Sequence, residues 1–289
     1  GIYPDRAWDQ LIKVSKILLV TFVTLLLCQD AKKLRWLLVV IALSIGFYGL
    51  KGGIWALTTG GVNQVLGPPD TFIEGNTEIG LALNMVLPLL LLLSRDEPRR
   101  WLRYLLRATF VFTIPAIIST YSRGAALGLA VVLPLRFLKS RLRFLILPLA
   151  LLALLFGKSV MPDQWFQRME TIETYEEDRS ANMRLNSWKV AYRLALDRPF
   201  LGGGFRPFSP EIYLRYSPEE LWNDQQDAHS IYFQVLAEHG FTGLALYLAL
   251  ILSTLVTLRR VIRRSRVHPD LAWLGNAAQG VEVGLIGYL

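Results

Sequence analysis

The residues best equipped for chemistry bracket one stretch, Arg184 to Gly243, where polar sequence meets the edge of a hydrocarbon segment at His229. Arg184 and Trp188 stand four apart in MRLNSWKVAYRLAL, so a helix there puts both on one face, continued by Ala191 and Ala195. The guanidinium could then reach a cavity while the indole and the small residues pack. Asp197-Arg198-Pro199 ends that helix, and Leu201-Gly202-Gly203-Gly204-Phe205 permits a close, irregular turn. Glycine-rich backbone can cradle phosphate, and Arg206 adds a cation beside it; a flexible connection is the plainer use of the same run. The G-K-[ST] ending of a Walker loop is missing. Asp227-Ala228-His229-Ser230 precedes an apolar run, and a helix beginning there would put His229 and Tyr232 on one face. A neutral imidazole can position or deprotonate a hydroxyl. Ser230 beside it establishes no nucleophile, because triads are defined in space. His239, just before Gly240, reads as a turn or cap, and His268 lies among basic residues away from the others.

Further candidates lie outside that stretch. Arg123 occupies the short turn TYSRGA between two apolar runs, where facing lipid would be costly, so it snorkels or points into a polar cavity as an anion contact. Lys13 and Lys16 either snorkel to an interface or line a cavity for an anionic ligand. Glu74, Asn76 and Glu78 could orient a sugar or an arginine, or cap the following span. The acidic run Glu170–Asp178 reads as a solvated helix face, since clustered carboxylates alone do not fix a metal site. Three histidines without ligand spacing and a single cysteine, Cys28, leave no zinc site and no intrachain disulfide to expect.

The elements that must position these residues are apolar helices. Of 289 residues 53% are hydrophobic, and several runs approach the roughly 20 residues needed to cross a bilayer. Spans are expected over about 11–28, 34–57, 79–93, 104–120, 125–138, 142–157 and 230–258, with another beginning near 271. Gly46, Gly49, Gly52 and Gly53 would give the second span close packing or a break. Only helices and closed barrels satisfy their backbone in lipid, which makes the chain an all-α polytopic integral membrane protein. The net charge of +8 could suggest nucleic acid. However, 17 of the 31 Lys and Arg residues fall in four segments, 29–35, 94–107, 136–143 and 259–266, as expected for cytoplasmic loops. The insert 158–228 carries nine basic and twelve acidic residues and belongs on the opposite side, as a cap over the bundle rather than a separate domain. A first residue other than Met and an end within an apolar run suggest that residues 1–289 are one domain's fragment from a longer protein.

In this order, SRGA at 122–125, R-x-x-x-W at 184–188, RPFLGGGF at 198–205 and AHSIYFQVLAEHGFTG at 228–243 resemble the O-antigen ligase and polysaccharide polymerase superfamily. GNTEIGLALNM at 75–85 makes the chain look especially like O-glycosylation ligases of exosortase A-associated systems. The resemblance implies a GT-C-like helical bundle with a periplasmic helical cap in the bacterial inner membrane. It implies a metal-independent glycosyltransferase, without cofactor, that moves a glycan from an undecaprenyl-diphosphate donor to a hydroxyl of a protein, lipid A core or another glycan. The family's functional residues map onto Arg123, Arg184 and His229 as catalytic groups. Arg206, Lys13, Lys16, Glu74 and Tyr232 are the substrate-binding candidates beside them, and the arginines are expected to converge with His229 on one external site. His229-Ser230 departs from the His-Asn pairing of related ligases. A polymerase that extends one lipid-linked chain with another, and a lipid-linked glycan transporter, are the alternatives. Membrane lipids are expected partners; nucleic acid is not.

Overall fold

The computed structural model describes residues 1–137, 179–218 and 226–289. The expected span 142–157, the acidic run Glu170–Asp178 and much of the insert lie outside the described residues. Helices follow in order: α1 Pro4–Leu27, α2 Ala31–Thr58, α3 Asn76–Arg95, α4 Arg100–Ile118, α5 Arg123–Phe137, α6 Arg179–Asp197, α7 Pro210–Tyr216, α8 Ile231–Ser265 and α9 Ala272–Tyr288. No strand occurs among the described residues. Helices α1, α2, α3, α4 and α8 are long and apolar enough to cross a membrane, so the chain is an all-α polytopic membrane protein.

Two compact units divide the chain, Gly1–Gln29 with Thr171–Thr254, and Asp30–Glu170 with Leu255–Leu289. The second packs α2, α3, α4, α5 and α9 into a bundle, called the membrane bundle below. Its helix α2 starts on Asp30, whose carboxylate accepts the Lys33 N–H at 2.8 Å, and runs unbroken for 28 residues. Its glycines pack closely and do not break the helix. A Cβ at Gly53 would lie 1.8 Å from the Phe112 carbonyl oxygen, so α4 can approach only a bare backbone there. Helix α3 is the most enclosed: Ile79, Leu83, Leu87 and Leu90 are fully buried between α2, α4, α5 and α9. Asn84 on α3 donates to the carbonyls of Gly80 at 3.0 Å and Ala125 at 2.9 Å, tying α3 to α5.

The bundle sorts its loops by end. At one end Val65 N–H donates to Ser119 O, and the side chains of Gln64 and Asn76 both donate to Thr120 O at 2.9 and 3.0 Å. At the other, Arg35 bonds Asp96 O and Glu97, and Asn276 donates to Asp96 at 2.7 Å. The basic segments 29–35 and 94–107 therefore share an end, opposite the turn that leads into Arg123. That is the alternation read from charge.

The first unit joins the N-terminus to the insert. Helix α1 begins at Pro4, not near residue 11, because proline at the first helical position and Asp5 in the first turn favour an early start. Ile2 N–H donates to Gly203 O at 2.6 Å, and the Tyr3 hydroxyl lies 2.5 Å from Ser209 Oγ and 3.0 Å from Glu211 Oε2. The Ser209 hydrogen bond, helped by its own backbone amide and by Tyr3, holds the Glu211 carboxyl below the usual carboxylate range. A lowered value adds stability above the unfolded pKa that is lost as pH falls through the folded one. Docking of residues 1–3 should thus loosen as pH falls below about 4. Hydrogen exchange at the Ile2 amide will show it, and E211Q should abolish the dependence.

Candidate active site

In the first unit α6 is the frame. Its buried face presents Val190, Ala191 and Leu194, which form a core with Ile212, Tyr213, Tyr216 and Ala237. Arg184 and Trp188 do share the neighbouring face, as their spacing predicts. The Trp188 indole N–H donates to Ala228 O at 2.7 Å, and its ring stacks on Phe233 with centroids 4.9 Å apart and planes 8° from parallel. Tyr213 donates to Gln226 O at 2.8 Å and lies 2.6 Å from Ser187 Oγ, while Gln226 Nε2 donates to Met183 Sδ at 3.3 Å. Burial pushes the Tyr213 phenol up, partly opposed by the Ser187 bond, which keeps it a neutral donor. Segment 226–229 is thereby laid along α6 beside Met183, Ser187 and Trp188. Arg184 stands one turn before Trp188 on α6, and His229 directly follows Ala228 in the segment tied to that helix.

Each has an unusual setting. The Arg184 Nε atom is buried and has no hydrogen-bond partner among the described residues, although buried donors are rarely left unmet. His229 is exposed and has φ +45°, a left-handed conformation uncommon outside glycine. Helix α8 starts only at Ile231, with Ser230 O accepting the Gln234 N–H at 2.8 Å. The shared helical face expected for His229 and Tyr232 is therefore not formed: Tyr232 is in the helix and His229 precedes it. The left-handed backbone of an exposed histidine is stored strain of about 1–3 kcal/mol, the kind that concentrates at functional sites.

The glycine turn has a different use from the phosphate cradle considered above. Its amides are already spent: Gly202 N–H donates to Arg198 O, Gly203 N–H to Ala237 O and Gly204 N–H to Glu238 O, at 3.0, 2.8 and 2.9 Å. In return Phe241 N–H donates to Pro199 O at 2.8 Å. The turn clasps α8 where Gly240, at φ +65° and ψ −166°, interrupts its helical backbone. A Cβ on Gly240 would meet Pro199 O at 2.4 Å, and one on Gly202 would meet Gly240 N at 2.6 Å. So the expected span 230–258 is two pieces. The residues before Gly240 pack with α6 and the glycine turn, and the long apolar stretch follows it. His239 sits at this break with its ring edge-on to Phe205 at 4.9 Å, as its reading as a turn residue requires. Arg206, exposed and also left-handed at φ +51°, has its N–H on Glu238 Oε1 at 3.1 Å.

The remaining candidates belong to other elements. Lys13 and Lys16 are exposed on α1, none of whose residues is buried. Glu74 accepts the Asp70 N–H at 3.1 Å and thus shapes its own loop, while Asn76 bonds Thr120 O. Arg123, half-buried, opens the first turn of α5 in the membrane bundle, after Ser122, whose hydroxyl accepts the Ala125 N–H at 3.3 Å. Sequence reasoning missed the tie from Trp188 to Ala228 and the clasp around Gly240. Only the glycine after His239, inside an otherwise helical pattern, hinted at the second.

Residues 108–248 match the family model described as O-antigen ligase, a range that holds Arg123, Arg184, Arg206, His229 and Tyr232 and leaves out Lys13, Lys16 and Glu74. No curated protein matches the chain. The match, over just under half of the chain, supports the O-antigen ligase superfamily.

Proposed function

We propose that the protein transfers a glycan from an undecaprenyl-diphosphate carrier to a hydroxyl acceptor at the periplasmic face of the bacterial inner membrane. The observation that carries this reading lies on α6: an arginine with a buried, unpartnered Nε one turn before Trp188, whose indole holds Ala228 next to an exposed, left-handed histidine. The acceptor oxygen attacks the anomeric carbon, and the C–O bond to the diphosphate breaks with its electron pair leaving on phosphate oxygen. Direct displacement of this kind inverts the anomeric centre. Arg184 stabilises the charge that develops on the diphosphate through charge-assisted hydrogen bonds. His229 accepts the hydroxyl proton. No step is assigned to a metal, and a GT-C-type architecture accords with this chemistry. Arg206, on the turn that clasps Glu238, and Tyr232, in the first turn of α8, are assigned to glycan binding. The role of Arg123 rests on its turn between apolar runs and on the resemblance, those of Lys13, Lys16 and Glu74 on their place in the sequence, and each is tested by its own alanine variant.

The acceptor is a protein hydroxyl, lipid A core or a surface glycan, with a protein favoured by the likeness of residues 75–85 to exosortase-associated ligases. Purified protein incubated with a defined undecaprenyl-diphosphate glycan and each acceptor class decides the matter. Ligation yields a single mass increment on the acceptor, polymerisation a ladder, and transport in sealed vesicles no covalent product. H229A should lower turnover by about 10²–10⁴-fold with little change in donor binding. Near-normal turnover in H229A would remove the general base from the mechanism.

A further inference from the structure

The end of the membrane bundle opposite Arg123 holds a cationic pocket that glycan transfer leaves unused. Its volume is about 180 Å³, and Lys32, Arg35, Trp36, Val39, Glu97 and Arg99 line it. Glu97 is the buried floor, 2% exposed. Its carboxylate accepts the Arg99 N–H at 3.0 Å and Arg35 Nη2 at 3.2 Å, and its carbonyl accepts both Nε and Nη2 of Arg103 at 2.9 and 2.7 Å. The lining therefore sets three cations, Lys32, Arg35 and Arg99, against one carboxylate. A structural ion pair would need only one of them. Arg99 is held 4.7 Å over the Trp36 ring with its side chain 48% exposed, so its orientation is fixed while its outer N–H groups stay accessible. The surplus points to an anion.

The surroundings specify how that anion arrives. Trp36 opens an exposed apolar stripe that continues along α2 through Val40 and Phe47, on a helix long enough to cross a membrane. Trp101 and Tyr104, both exposed on α4, add the aromatic residues typical of the headgroup level. We propose that this pocket binds the phosphodiester headgroup of an anionic glycerophospholipid whose acyl chains lie along the Trp36–Val40–Phe47 stripe. Basic pockets between membrane helices hold such headgroups. A free phosphate would use the same cations but gain nothing from the stripe.

The inference stands independently of glycan transfer and is tested on the full protein. Retention of phosphatidylglycerol and of phosphatidylcholine is measured by native mass spectrometry after reconstitution in mixed vesicles and extraction. The parent should keep phosphatidylglycerol selectively. K32Q/R99Q should weaken that retention by about thirty-fold, R260Q/R263Q, which removes exposed charge elsewhere, should not, and K32R/R99K should restore it. Equal retention of both lipids, unchanged retention in K32Q/R99Q, equal loss in the two glutamine pairs, or displacement by excess inorganic phosphate would each overturn the proposal.

Discussion

Replacing Arg184 by methionine should leave the protein at least as heat-stable as the parent while glycan transfer falls by about 10²–10³-fold. The two effects have one cause. A buried donor without a partner costs about 1–3 kcal/mol, and the Arg184 Nε is such a donor. Methionine keeps an unbranched apolar stem against α6 and removes the unmet polar group, so the thermal midpoint should hold or rise. The same change deletes the planar fork that would meet a diphosphate. R184K sharpens the result: it restores charge without the fork, and turnover should stay well below the parent's. A midpoint lowered by several degrees in R184M, with transfer intact, would mean that Arg184 supports the fold and touches no substrate.

Gly240→Ala should strongly destabilise the unit that carries Arg184 and His229. Its φ and ψ fall in a region open essentially to glycine, where another residue costs about 1–3 kcal/mol before any clash. The added Cβ also meets Pro199 O at 2.4 Å, so the clasp made by Gly203, Gly204 and Phe241 must open. Because residues 231–239 carry Phe233, on which Trp188 stacks, the loss should reach Arg184 and His229 and abolish transfer. Protease nicking within residues 199–206, absent in the parent, is the direct readout. G124A offers the comparison: its Cβ would meet nothing nearer than Ser122 Oγ at 3.9 Å, and it should be much milder.

Several elements were legible because their signal is local. The Arg184–Trp188 face follows from spacing alone, the basic segments 29–35 and 94–107 share one end as their charge requires, and α6 stops at Asp197-Arg198-Pro199 as read. The rest depended on distant partners. Glycines 46, 49, 52 and 53 fit a break or a packing face equally well until α4 is laid against them. The glycine turn looked free to hold phosphate because nothing in its own residues reveals that Ala237 and Glu238, more than thirty positions later, take its amides. Likewise His229 could be placed on the helix or before it only once Ser230 was seen to start the helix. Helix onset at Pro4 was readable from its proline and aspartate, and the apolar run beginning near residue 11 obscured it.

The bonds from Ile2 to Gly203 and from Tyr3 to Ser209 and Glu211 bear on protein engineering. The unit that carries Arg184 and His229 is discontinuous, drawing on the first helix, the insert and the start of α8. A chimera that exchanges only the insert between relatives would graft a half-built module, with a foreign N-terminus at Gly203 and a foreign break at Gly240. Acceptor preference should therefore transfer between relatives only when all three segments travel together. Libraries that diversify the insert alone should yield misassembled proteins more often than new specificities.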